Sequence, residues 1–223
     1  MSALIENFDA IIAGFWSTIR LAAMSAVLSL LLGTLLVALR VSPVPVLRGM
    51  GTVYVNILRN TPLTLVLLFC SLGISNTLQL NFDAYDPQFN GYWLAVLGLT
   101  AYTSTFVCET LRAGVNTVPM GQAEASRAIG LTFTQSMRMV ILPQAFRAVI
   151  APLGSVLIAL IKNTTVVIVA GYAEAAFVMK DMLYESAGTV VMVFLGFAAG
   201  YMVLTLPVGY LTGWLARRLA VRR

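Results

Sequence analysis

The chain has 223 residues, 59% of them hydrophobic and only 10% charged, with a net charge of +5 and a mean hydropathy of +0.89. Soluble domains carry about 25% charged residues, so a water-soluble globule, a disordered chain and a disulfide scaffold are excluded and a polytopic membrane protein is indicated. The absence of His removes His-based triads and most zinc sites.

Lys occurs only at 162 and 180, neither after a Gly-rich loop, so a P-loop ATPase is excluded. Cys70 and Cys108 lie in apolar stretches without metal-ligand spacing and read as buried thiols. The basic residues are scattered among apolar spans, which fits orientation in a bilayer better than nucleic-acid binding. The N-terminus carries Glu6 and Asp9 and no early Lys or Arg, so the first apolar stretch is expected to stay in the mature protein.

A span needs roughly 20 apolar residues. Five stretches qualify, at approximately 14–39, 53–78, 92–112, 148–170 and 188–215. Trp16, Tyr92, Trp93, Tyr210 and Trp214 sit near their ends, as aromatic belts do. The links 40–52, 79–91 and 171–187 are short, and there is no internal repeat. The expected organisation is one all-α transmembrane domain over 1–223.

With the N-terminus outside, the inner segments 40–59, 112–147 and 217–223 hold eleven Arg, including Arg222 and Arg223, against Arg20 and Lys180 outside. Glu6, Asp9, Asp83, Asp86, Glu174, Asp181 and Glu185 fall outside. This asymmetry predicts N-out, C-in, and hence an odd number of spans.

Residues 113–147 are too polar to span and too patterned for a plain loop. Pro119 can begin a helix, with Thr117 nearby as a cap. Gln122 to Ala128 are good helix formers, and Gly130 can end the helix in a left-handed conformation. Leu131, Phe133, Met137, Val140 and Ile141 then recur at helical spacing, and Leu142-Pro143 closes the pattern. Two short helices joined at a Gly are predicted on the inner surface. The residues alone leave open whether they receive another protein or lie on lipid.

Thr61-Pro62 has the grammar of a helix start. If the second span breaks there, the new helix N-terminus and Arg59 gather positive charge where a carboxylate could dock; a Pro kink with a snorkelling Arg59 is the other reading. Lys162 lies about fourteen residues into the fourth span, and a charge at that depth costs at least ~2.5 kcal/mol. With Asn163, Thr164 and Thr165 it forms a polar cluster that is either a pathway or gate, or helix–helix glue. Arg20 either snorkels or adds positive potential for an anionic solute. Glu109 and Arg112 share a helical face and either pair locally or brace the helix of the amphipathic segment 113–147.

Glu124-Ala125-Ser126, three residues, Gly130, nine residues, Val140, one residue, Leu142-Pro143 resembles the EAA motif of ABC-importer permeases. Ser126 stands there for Ala and Val140 for Ile. Arg59-Asn60-Thr61-Pro62-Leu63, Glu109-Thr110-Leu111-Arg112, Gly121-Gln122-Ala123-Glu124, Leu142-Pro143-Gln144-Ala145 and Lys162-Asn163-Thr164-Thr165 are similar to the polar-amino-acid uptake permeases (the histidine, glutamine and glutamate permease family). Phrases such as Tyr102-Thr103-Ser104-Thr105-Phe106-Val107 look most like actinobacterial glutamate permease subunits.

The resemblance implies a type I ABC importer permease (MetI-like) fold in the bacterial cell membrane. It implies that Gly121, Gln122, Ala123, Glu124, Ala125, Ser126, Gly130, Leu142 and Pro143 belong to a coupling helix and its flanks, which dock into a separate ATPase subunit. It places the Lys162 cluster along the pathway. It implies a second, related permease subunit, two ATPase subunits that bind ATP and Mg, and an extracytoplasmic amino-acid-binding protein. The chain itself is then no enzyme and binds no cofactor, and the implied substrate is glutamate. An ATP-independent secondary transporter or channel is the rival reading. Unrepeated spans without acidic residues in the membrane interior argue against a proton-coupled version of it.

Overall fold

The computed structural model describes residues 2–185 and 190–219. Residues 188–189 of the fifth predicted span and Arg222 and Arg223 of the predicted inner tail lie outside the described residues. All regular structure among the described residues is helical, as a bilayer without water for exposed backbone groups requires of anything but a closed barrel.

The helices are α1 (Ser2–Glu6), α2 (Phe8–Arg40), α3 (Pro45–Arg59), α4 (Leu63–Leu68), α5 (Pro87–Asn116), α6 (Met120–Ala128), α7 (Phe133–Ser136), α8 (Leu142–Asn163), α9 (Ala175–Glu185) and α10 (Val190–Leu219). A π-helical stretch, Phe69–Thr77, continues α4; another, Met137–Ile141, joins α7 to α8; and a 3-10 stretch, Thr164–Ala170, extends α8. Helix α9 occupies the link 171–187, where no regular element was predicted.

The sequence dictates the start of α5 clearly. The Asp86 carboxylate accepts from the Gln88 and Phe89 N–H groups, and Pro87 takes the first helical position. α2 and α5 run parallel. Arg20 lies 5.7 Å over the Tyr92 ring at one end, and Arg40 bonds Glu109 at the other. Gly33 sits between them: a Cβ there would lie 2.5 Å from Val107 Cγ1 and 3.0 Å from the Ser104 carbonyl. Small residues of this kind let membrane helices approach closely. α8 returns antiparallel, with Val149 against Gly114 and Ala170 against Gly91. α10 runs antiparallel to α8, Thr212 facing Gly154, while Phe197 stacks on Phe15 of α2 and Tyr201 meets the same ring edge-on. Leu21, Leu63, Leu67, Leu99, Leu160 and Val167 form the main core. The bundle thus has a basic end, with Arg40, Arg59, Arg112 and α6, and an opposite end, with Asp86, Tyr92 and Gly171.

Four helical stretches are long and apolar enough to span: Phe8–Arg40, Pro87–Asn116, Phe133–Ala170 and Val190–Leu219. The second predicted span, 53–78, is a broken pair, as one of the two readings of Thr61-Pro62 has it. Pro45–Arg59 and Leu63–Thr77 meet at 104°, far more than a Pro kink. The Asn60 and Thr61 side chains donate back to the Asn56 and Ile57 carbonyls, at 2.7 and 2.8 Å, closing the last turn of α3. Pro62 has no N–H with which to extend that helix. Its carbonyl instead accepts from the Leu65 and Val66 N–H groups at 3.0 and 3.3 Å, and so opens α4. Thr61 therefore ends one helix rather than capping the next.

Two further local expectations change. The Thr117 hydroxyl bonds the Gly114 carbonyl at 2.7 Å and so closes α5, leaving Pro119 at the N-cap of α6. Leu142-Pro143 does not close a helix. The wider π turn just before it accommodates a ring that lacks an N–H, and Phe133–Ala170 runs on as one stretch.

Gly33→Ala is expected to destabilise by about 1–3 kcal/mol, the usual cost of overpacking. Thermal unfolding in detergent should show a lowered Tm that Val107→Ala, added in the same chain, restores only in part, because the Val107 Cβ at 2.7 Å and the Ser104 carbonyl at 3.0 Å remain.

Candidate functional site

At the basic end, α6 and α7 form an elbow. Gly130 is left-handed, with φ +88°, as the sequence predicted. The Leu131 N–H bonds the Ser126 carbonyl at 3.1 Å and the Gly130 N–H bonds the Arg127 carbonyl at 2.9 Å, which is the Schellman arrangement. Thr132 and Gln135 then form a capping box that starts α7. The S/T-x-x-Q spacing from Thr132 to Gln135 carries this signal in the sequence. Gly121, Gln122, Glu124 and Ala125 are exposed, Ala123 is partly so, and Ser126 is buried. Met120, Ile129 and Phe133 expose large apolar side chains around them. Pro143 and Leu142 start α8, and Gln144 donates to Gln122 at 2.5 Å, tying α8 to α6.

Glu109 is the ion-paired carboxylate of this end among the described residues. Its carboxylate bonds Arg40 from α2 and, at 3.0 Å, Arg112 from its own helix; Arg59 from α3 comes to 3.9 Å. Glu109 and Arg112 do pair, as one of the two readings held. Arg40, which sequence reasoning did not nominate, completes the cluster, and it buries its side chain to 11% exposure against 51% for Arg59. Arg59 is thus directed toward Glu109. A cleft of about 350 Å³ beside it is lined by Arg59, Glu109, Thr117 and Pro152.

Lys162 is exposed on this chain and makes no ion pair among the described residues. Thr164 is wholly buried and bonds the Ile161 carbonyl at 2.7 Å, while Thr165 bonds that of Lys162 at 2.8 Å. These bonds mark the change from α to 3-10 winding. Asn163 faces a cavity of about 310 Å³ with Tyr102, Thr103, Phe106 and Ser155. No hydrogen bond or ion pair among the described residues joins this cluster to Arg59–Pro62. Arg20 is exposed and lines a cleft of about 610 Å³ at the opposite end, with Asp86, Gln88, Trp93 and Tyr172.

Glu174 is the residue that sequence reasoning missed. The sequence places it outside with the other acids, in the mixed link 171–187, yet it is 0% exposed. Its carboxylate accepts from Tyr201 at 2.9 Å, from Thr18 at 3.1 Å and from the Phe177 N–H at 3.2 Å. It thereby pins the start of α9 to α2 and α10. Burial pushes the carboxyl above its ordinary 4.5, against the pull of these donors. Glu174 is thus buried in the protein at the end opposite the basic one, in the turn between the Phe133–Ala170 span and α9.

This architecture, a helical bundle with one broken span and an exposed amphipathic elbow, is that of an integral multi-pass membrane protein. The chain belongs to the family of binding-protein-dependent transport system inner membrane components, which it matches over residues 10–221, and so to the bacterial cell membrane. It is similar to the glutamate transport system permease protein GluC of Corynebacterium efficiens, at 50% identity over 96% of this chain and 95% of that one. It is also similar to a probable glutamine ABC transporter permease protein of Bacillus subtilis, at 32% identity over 98% of this chain and 97% of that one. Among solved structures it resembles an amino acid ABC transporter with histidines, at 26% identity, 96% coverage of both chains and a TM-score of 0.83.

Two outcomes follow from the carboxylates. Glu109→Gln is expected to cost about 2 kcal/mol. Among the arginines, the loss of Tm on substitution by Ala should be largest for Arg40 and least for Arg59, whose exposed long contact is worth about 0–1 kcal/mol. For Glu174 the folded value is raised. Its contribution is therefore fully present below about 4.5 and is lost as pH rises through the folded value. Against Glu174→Gln, the unmodified chain should gain relative Tm as pH is lowered toward 4.5, as a pH series of unfolding curves in detergent checks.

Proposed function

We propose that this chain is the membrane permease subunit of an ATP-driven importer for polar amino acids and that its substrate is glutamate. The observation that carries the reading is the full-length, 50% likeness to a glutamate permease; relatives at 32% include a glutamine permease, so substrate identity follows the higher similarity. A related permease subunit completes the pathway, and an extracytoplasmic binding protein delivers the amino acid. The basic end is cytoplasmic, in keeping with its Arg content.

α6 is the docking element for a separate ATPase subunit. Exposed Gly121, Gln122, Glu124 and Ala125, flanked by Met120 and Ile129, offer the small, apolar and acidic surface on which another protein can seat. Gly130 sets the angle at which that surface leaves the membrane, and Leu142 and Pro143 join it to α8. ATP and Mg bind on the partner, whose closure moves α6. Lys162, Asn163 and Thr165 line the pathway, and the buried Thr164 holds the backbone beneath them. The unpaired Lys162, too costly to leave against lipid, attracts the substrate carboxylates. Arg59, Asn60, Thr61 and Pro62 form its break in the second span. Arg59 braces Glu109 with Arg112, and Arg20 adds positive potential where the anion arrives.

Tagged chain, gently solubilised from its native membrane, is expected to bring down an ATPase and a second permease in near-equal amounts. Recovery of the chain alone, under conditions that preserve other membrane complexes, would contradict the assembly. Gly130→Val forces a β-branched residue into the left-handed region. It should cut glutamate uptake on the order of tenfold with the amount of chain in the membrane unchanged.

A further inference from the structure

The elbow has no apolar core. From Val115 to Ile141 only two residues are buried, Ser126 and Ser136, at 4% and 3% exposure. Their hydroxyls share a hydrogen bond of 2.8 Å across the elbow. Ser126 is also the position where the Glu-Ala-Ala pattern is broken, and the residue that breaks it meets a hydroxyl on the other arm. The backbone bonds at Gly130 and Thr132 fix the corner. They do not by themselves hold the two arms together farther out. The second tie, Gln122 to Gln144, is exposed, so water competes for it.

We propose that Ser126 and Ser136 are positioning residues that lock α6 and the Phe133–Ala170 stretch into one rigid body, so that displacement of α6 is delivered to α8 and its Lys162 cluster. This inference rests on the reading of α6 as the ATPase-docking element. A buried hydroxyl pair suits the task. It is directional and shielded from water, and losing Ser126 leaves the Ser136 hydroxyl unsatisfied in a buried place, whereas Ser126 keeps a 2.8 Å bond to the Ala123 carbonyl when Ser136 is removed. The stretch beyond it is continuous for 38 residues, so motion imposed near Ser136 is carried along one helix axis.

The test uses the whole complex reconstituted in vesicles with its binding protein, reading labelled glutamate taken up per ATP hydrolysed. Ser136→Ala is expected to retain the ATPase subunits and their hydrolysis while uptake per ATP falls about fivefold. Ser126→Ala should lower the same ratio, and the double variant should be no worse than the worse single, because one bond is shared. Unchanged ratios, or losses that multiply in the double variant, would overturn the proposal. Ser126→Cys with Ser136→Cys gives a second measurement. Copper phenanthroline should cross-link the pair, seen by mass spectrometry, and the oxidised complex should transport at least as well per ATP as the reduced one. Absence of the cross-link overturns the contact, and uptake blocked by oxidation and restored by reductant overturns the rigid link. Failure of the unmodified chain to retain any ATPase would instead sink the docking reading itself.

Discussion

A backbone inside a bilayer has no water to turn to, and this chain meets that constraint by changing its helical winding rather than abandoning it. At Asn60–Pro62 two side chains close α3, and the Pro62 carbonyl opens α4. Before Pro143 the helix widens to π, and from Thr164 it tightens to 3-10, with the Thr164 and Thr165 hydroxyls on backbone carbonyls. These three departures coincide with motifs that the sequence made conspicuous, Arg59–Pro62, Leu142-Pro143 and Lys162–Thr165, whereas the π stretch Phe69–Thr77 carries none. Irregular winding at membrane depth is tolerated where protein or a polar pathway can satisfy it.

The two interior carboxylates serve the bundle differently. Glu109 meets an excess of positive charge from α2, α3 and α5 and draws those helices together at the basic end. Glu174 meets only hydroxyl and amide donors at the opposite end, where it fastens α9. The first is a charge-neutralising tie whose weakest arm, Arg59, is half exposed; the second is a neutral-donor pocket that penalises ionisation. Between them α5 and α8 run the length of the bundle, and the elbow of α6 and α7 projects from the end that Glu109 organises.

Much of this was legible in the residues because it depends on local chemistry. The apolar runs located the spans, Gly130 announced a left-handed turn, and the motif spacing named the family. What escaped depends on distant partners or on details of hydrogen bonding. Thr61 and Thr117 look like helix starters, but their hydroxyls turn back to carbonyls that have just been left open, and sequence spacing does not distinguish the two choices. Pro143 looks like a stop until a π turn makes room for it. Glu174 reads as one more acid in a mixed link, and only Thr18 and Tyr201, which lie far away in sequence, bury it. Ser136 carries no motif at all. Its significance comes from Ser126, ten residues earlier, across a turn.

The central claim is that this chain moves glutamate only when a partner ATPase drives it. The direct measurement is uptake of labelled glutamate into vesicles holding the purified complex, with and without ATP in the compartment that α6 faces. The account predicts accumulation that requires ATP, requires the binding protein on the other side and persists when an uncoupler collapses the proton gradient. Accumulation without ATP that an uncoupler abolishes would contradict it and would make the chain an ion-coupled carrier.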